Sequence, residues 1–287
     1  MAEAVALAPW RRRPAATLGL YLHFVRLSFL EFLAYRLRYY TGVVTYTVFV
    51  AGNYYLYTAL FAGRPAAPGA PATLGGLTLG EMITYIGLSW IGRSFYFNNI
   101  DRDLSGQIRE GQVAMLLIKP VHAQTMLMFQ ALGEAAFRLL LFTLPIIAVV
   151  GPVFHLLPPP RPSLYGWTLL SFLLAFLVNA QVNFLVGCLA FYLKNILGVI
   201  RAKLVIMELL TGVLVPFTLF PEWVQRVVSW LPFQAINYIP VMTYLGRRSG
   251  DALARGLLLQ AAWAVGLLLL GRWIWNRAVR HVTLQGG

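Results

Sequence analysis

Residues able to do chemistry are few in this chain and stand far apart. A phosphate-binding loop needs Gly-x-x-x-x-Gly-Lys-Ser/Thr, so that backbone amides and the lysine hold phosphates. Only Lys119, Lys194 and Lys203 could supply that lysine, and none follows a glycine. The four histidines are scattered, and neither His-Glu-x-x-His nor Gly-x-Ser-x-Gly occurs, which removes the local signatures of zinc proteases and serine hydrolases. Cys188 is the sole cysteine, so intramolecular disulfides and cysteine-based zinc sites are excluded. It is expected to be a buried small hydrophobe. The expectation is a chain with no catalytic residue, no metal site and no cofactor of its own.

The remaining polar residues suit pairing and docking better than catalysis. Glu134 and Arg138 lie four apart in an apolar stretch, where an ion pair reduces the cost of burying either charge. A structural pair near the bundle interior is the favoured reading, with a substrate-path or gating role as the alternative. Asn179, Gln181 and Asn183 interrupt another apolar stretch, with Asn179 and Asn183 one helical turn apart. Hydrogen bonding between helices is the plainer reading of that row, and lining of a cavity at an interface the other. The densest charge falls on Asp101, Arg102, Asp103, Arg109 and Glu110, interleaved with Leu104 and Ile108 at the spacing of one helical face. Such a stretch is either a solvated loop with a short helix or a docking surface.

The elements that must position these residues are membrane spans. Hydrophobic residues make up 59% of the 287, charged residues only 11%, and mean hydropathy is +0.69, a composition outside the soluble range. The reading is an all-α integral membrane protein. Residues 1–39 form a cytoplasmic N-terminal segment, with an interfacial helix over roughly 18–38 where His23, Arg26, Glu31 and Arg38 share one side. Residues 40–276 form a six-span domain, with spans near 40–61, 77–97, 125–150, 164–192, 204–219 and 252–275, and 277–287 form a tail. The charged stretch 98–112 must lie in water. Pro221, Pro232 and Pro240 cut the chain before the last span into pieces of about ten residues, and crossing takes about twenty at 1.5 Å each. Residues 221–244, with Trp223, Trp230, Tyr238 and Tyr244, therefore read as short re-entrant or interfacial helices.

Charge sets the orientation. The net charge of +13 is spread over short segments between apolar runs and forms no single basic stripe, which argues against a nucleic-acid partner. Sixteen lysines and arginines flank the spans on the side of the N-terminal segment and six, Arg64, Arg161, Arg226, Arg247, Arg248 and Arg255, on the other. The positive-inside rule then places both termini in the cytoplasm. The triplet Arg11 to Arg13 resembles the start of a signal peptide, but Arg26 and Glu31 interrupt the following run and retention is expected.

The string Gly111-Gln112-Val113-Ala114-Met115-Leu116-Leu117-Ile118-Lys119-Pro120-Val121 resembles the Gly-x-Leu-Asp-x-Leu-Leu-x-Arg-Pro-Val pattern after the second span in permease subunits of type-2 ABC exporters. The similarity is nearest to the group of uncharacterised and viologen-exporter permeases. It covers most of the chain, including Pro221-Glu222-Trp223 and Trp230-Leu231-Pro232-Phe233 before the last span. Departures are Val113-Ala114 where Leu-Asp is frequent and Lys119 where arginine is usual.

The resemblance implies an inner or plasma membrane permease that pairs with a second permease, identical or related, and with two separate ATP-binding subunits that hold ATP and Mg. It also implies a coupling helix at the ATPase contact, carried here by Asp101, Arg102, Asp103, Leu104, Ile108, Arg109 and Glu110. The surrounding partner is membrane lipid. Two other readings fit the membrane architecture: a secondary transporter, for which internal repeats would be expected, and a scaffold or assembly protein that works without an ATPase.

Overall fold

The computed structural model describes residues 14–64, 71–119, 121–193 and 195–280. Expectations placed on Arg11 to Arg13, on Pro120, on Lys194 and on the tail beyond residue 280 lie outside the described residues. Within them the chain is helical and holds no strand, only one isolated bridge, Leu74 with Leu77. In chain order the helices are α1 (Pro14–Ala34), α2 (Leu37–Ala62), α3 (Leu79–Tyr96), α4 (Ile100–Arg109) and α5 (Val113–Ile118). They continue as α6 (Ala123–Val153), α7 (Ser163–Phe191), α8 (Leu197–Leu210), α9 (Glu222–Ser229), α10 (Tyr238–Tyr244) and α11 (Asp251–Val279).

Three of these, α6, α7 and α11, are long and apolar enough to cross a membrane alone. A fourth crossing arises if Leu18–Ala34 and Tyr39–Ala62, bent by 82° to one another, count as one. Two features differ from the sequence reading. The stretch 204–219 is not one helix: α8 ends at Leu210, Gly212 follows at φ 85°, and a 3₁₀ turn occupies Phe217–Leu219. Only glycine adopts that backbone without strain, and the Tyr85 hydroxyl fixes it by donating to the Gly212 carbonyl at 3.0 Å. The long helix α6 is also irregular, with a π turn at Leu139–Thr143. Pro145 lacks the N–H that would bond the Leu141 carbonyl, and the wider turn absorbs that lost bond.

Helix α7 is the central post. Its Ser171, Ala175, Val178, Ala180 and Phe184 are wholly buried, and α3, α4, α10 and α11 all pack on it. Around its C-terminal half, Leu104, Met126, Phe176, Phe184 and Trp275 form one apolar core. A second core, with Met82, Tyr85, Ile146, Val150 and Val213, joins α2, α3 and α6. Helix α3 starts with a capping box, in which Thr78 N–H donates to Glu81 Oε2 at 2.9 Å and Glu81 N–H returns to Thr78 Oγ1 at 3.4 Å. Reciprocal capping of this kind satisfies two otherwise orphaned donors.

Helix α1 is clamped along α6. Tyr21 stacks on Phe129 at 4.7 Å between centroids, and Phe29 and Phe32 approach Phe137. The backbones meet at Gly133, where a Cβ would stand 2.3 Å from the Val25 carbonyl oxygen. Leu18, Leu22, Leu27 and Leu30 of α1 remain exposed. Gly133→Val is expected to cost about 1–3 kcal/mol through overpacking and to lower the detergent-phase melting temperature. Gly52→Ala, at a position with nothing within 4 Å, serves as the control and should stay within about 1 kcal/mol of the parent.

Candidate functional site

Helix α4 is short and two-faced. Ile100, Asp101, Leu104 and Ser105 turn inward, while Arg102, Asp103, Arg109 and Glu110 are exposed. Ile108 is half-buried and packs on the same core as Leu104. Helix α4 lies directly on α7 at Gly187, where a Cβ would meet Leu104 Cδ2 at 3.0 Å and Asp101 Cα at 3.2 Å. The sequence grouped Asp101 and Leu104 with an outward contact surface. They point the other way, because the apolar and acidic positions nearest α7 have to bury against it.

Beneath α4 runs a buried polar network. Lys203 of α8 donates from Nζ to Asp101 Oδ2 at 2.6 Å and to Asn183 Oδ1 at 2.7 Å. Asn183 Nδ2 donates to Asn98 Oδ1 at 2.9 Å, and that same oxygen accepts the Ile100 N–H that opens α4. Asn179 Nδ2 donates to the Tyr96 carbonyl at 2.9 Å, where α3 ends. Asp101 is 2% exposed and Asn183 likewise, so each bond replaces water that is not there. The arrangement ties α3, α4, α7 and α8 at one point. Asn179 and Asn183 therefore act between helices, and Gln181 does the same on the other side of α7. There it accepts from Gln124 Nε2 at 2.7 Å and faces the Met128 sulfur.

Two further ion pairs flank this point. Arg93 of α3 pairs with Glu208 of α8 and donates to the Tyr46 hydroxyl of α2 at 2.6 Å. Glu134 Oε1 accepts from Arg138 Nε at 2.8 Å and from Nη2 at 2.7 Å, both side chains being under a tenth exposed. The Phe97 ring lies between the two guanidinium groups, each 5.2 Å from its centroid. Such cover favours a retained charge in an apolar setting. Glu134 and Arg138 are thereby a closed pair against aromatic rings. Asn98, Lys203, Arg93 and Glu208 were not singled out as a site by sequence, since their partners stand 20 to 115 residues away.

Between α1, α4 and α6 opens a cavity of about 620 Å³, lined by Glu31, Arg102, Asp103, Gln107, Glu110 and Glu134 among others. Its carboxylates give it acidic walls suited to a cationic side chain. Helices α4 and α5, of 10 and 6 residues, are too short to cross a membrane.

A family model for ABC-2 family transporter proteins matches residues 53–286. The chain belongs to the ABC-2 transporter family. It is a multi-pass membrane protein and a transport permease subunit, and membership implies association with ABC ATP-binding subunits. A comparison with curated proteins finds no match.

In this ABC-2 permease the acidic cavity perturbs one group outside the spans. Desolvation in the concave site, then the negative charges of Glu134, Asp101 and Glu31, push the Asp103 carboxyl up to about 6 from its ordinary 3.8, against a smaller opposing pull from Arg102. Asp103 is open to solvent on its outer side, and screening tempers the effect. A carboxyl whose folded value is raised contributes stability in its protonated form, complete below about pH 4 and lost as pH rises through about 6. The melting temperature should therefore fall between about pH 4 and 6 more steeply than in Asp103→Asn, and the two should run parallel above about pH 7, measured in detergent at fixed salt. Superimposable pH profiles would count against the perturbed carboxyl.

A second expectation concerns the network. Lys203→Met leaves Asp101 buried without its cation, a loss of about 3–5 kcal/mol, whereas Lys203→Met with Asp101→Asn recovers most of it. The two melting curves decide between a paired charge and a bystander.

Proposed function

We propose that this chain is the membrane-spanning subunit of an ATP-driven exporter, forming the substrate pathway with a second permease and driven by two separate ATP-binding subunits. The observation that carries the reading is α4: a cytoplasmic amphipathic helix locked to α7 and α8 by buried bonds, with Arg102, Asp103, Arg109 and Glu110 presented outward. Those four residues, beside the acidic cavity, are the ATPase contact, and Ile108 is its apolar edge. Asp101 and Leu104 transmit the contact inward. The lack of a Gly-x-x-x-x-Gly-Lys motif agrees with ATP and Mg being held by the partner.

The same reading fixes the topology. Helices α2, α3, α6, α7 and α11 cross singly, and α8 with the following 3₁₀ turn makes the remaining, broken crossing of six. Broken helices are tolerated where the freed backbone is satisfied by protein, as at Gly212. Helices α9 and α10 dip from the outer side and return, and Trp223 and Trp230, both well exposed, sit at that boundary. The sixteen-to-six bias of basic residues places α1, α4 and the C-terminal end of α11 in the cytoplasm of a cell membrane. Closure of the ATPase pair moves α4 and α1, and the shared network carries that motion into α3, α7 and α8. The cargo class is an amphipathic or lipid-like compound, drug or peptide moved outward. The closed pairing of Glu134 with Arg138 and the interhelical bonds of Asn179, Gln181 and Asn183 support structural roles for them.

Tagging the chain in its native host and purifying it in mild detergent is expected to recover a P-loop ATPase in fixed proportion. Arg102→Glu with Arg109→Glu should abolish that recovery while leaving the melting temperature within a few degrees, since both side chains are exposed. Recovery of no ATPase under conditions that preserve a control ABC complex would contradict the exporter reading and favour a secondary transporter or scaffold.

A further inference from the structure

Away from α4, the inner halves of α6, α7 and α11 enclose an apolar groove of about 350 Å³. Met128, Leu132, Leu173, Leu177 and Leu268 line it, and Arg272 stands at its rim. The helices that form it are tied by polar bonds: Gln124 Nε2 donates to Gln181 Oε1 at 2.7 Å and to the Leu268 carbonyl at 3.1 Å. These join all three helices, so the groove is preformed.

Three observations say what covers it. Arg272 is exposed and has no carboxylate partner among the described residues. Helix α11 buries only 17% of its apolar window, with Val265, Leu269, Leu270 and Trp273 exposed, so the groove opens onto a lipid-facing side. The same helix end adds Arg277, stacked 5.9 Å over Trp273, and Arg280, an arrangement of aromatic and basic anchors at headgroup level. An apolar slot beneath an uncompensated guanidinium matches a single phospholipid, its acyl chain in the slot and its phosphate on Arg272. The neighbouring arginines disfavour a choline or other cationic headgroup and select a net negative one.

We infer that the groove between α6, α7 and α11 is a binding site for one anionic phospholipid, held by Arg272 at the cytoplasmic end of α11. Only the leaflet assignment rests on the topology proposed above. The groove and its cation do not.

The test is a titration of the delipidated full-length chain in detergent with phosphatidylglycerol or phosphatidylcholine of equal chain length, counting bound lipids by native mass spectrometry. The parent chain should fill one tight phosphatidylglycerol site and bind phosphatidylcholine there about fivefold more weakly, the scale of one basic residue at an anionic headgroup. Arg272→Gln, a change at an exposed side chain, should reduce the preference severalfold. Leu132→Trp should weaken both lipids by filling the slot, with Leu177→Phe as the milder filling variant. Arg64→Gln, far from the groove, should change neither. Equal affinity for the two lipids in the parent chain, or an undiminished preference in Arg272→Gln, would overturn the inference. So would a lipid-free dimer whose contacts cover the groove. Because detergent gives access to both ends, the titration is indifferent to sidedness and to any ATPase, and its failure is distinct from failure of the exporter reading.

Discussion

A carboxylate that is 2% exposed needs a cation and further donors where water was. Asp101 has them in Lys203 and the Arg102 amide, and the packing of α3, α4, α7 and α8 follows from it. Lys203 is itself held by Asn183, and Asn183 by Asn98. Four helices thus share one hydrogen-bonded junction. Buried polar networks of this kind give uniqueness of arrangement more than net stability, because their worth depends on every member being in place. A helix seated on such a junction cannot slide on its neighbours without breaking several bonds at once.

That constraint separates two functions within ten residues. The inward face of α4 is a rigid joint, with Leu104 wedged against Gly187 and Asp101 on Lys203. The outward face is charged, exposed and borders an acidic cavity shared with α1 and α6. Bonds run from α4 to α8 through Lys203, and from α7 to the end of α3 through Asn183 with Asn98 and Asn179 with Tyr96. Arg93 with Glu208 is a second tie between α3 and α8. Helix α1, clamped along α6 by aromatic rings and the Gly133 approach, adds the other wall of the acidic cavity.

Helical class, the long apolar helices and the amphipathic character of 100–109 were legible in sequence because hydropathy and a 3.6-residue period are local properties. The pair Glu134 and Arg138 was legible for the same reason, at four residues on one face. Lys203 and Glu208 carry no local signal of their roles, since their partners Asp101 and Arg93 are neighbours only after folding. The burial of Asp101 was not legible, because a carboxylate in a charged run looks solvated until the lysine from another helix is found beneath it. The end of α8 at Leu210 was hidden too, because the apolar run continues through Val213 and Leu214 and only a left-handed Gly212 braced by Tyr85 stops the helix.

Hydrogen exchange of the backbone amides of α4, followed by mass spectrometry in a lipid nanodisc, tests most directly whether α4 is one mechanical unit with the spans. The account predicts protection of residues 102–109 comparable to that of buried α7, and a concerted loss of protection in α4 and α8 on Lys203→Met. Rapid exchange of α4 in the parent chain, or a change in Lys203→Met confined to α8, would contradict it.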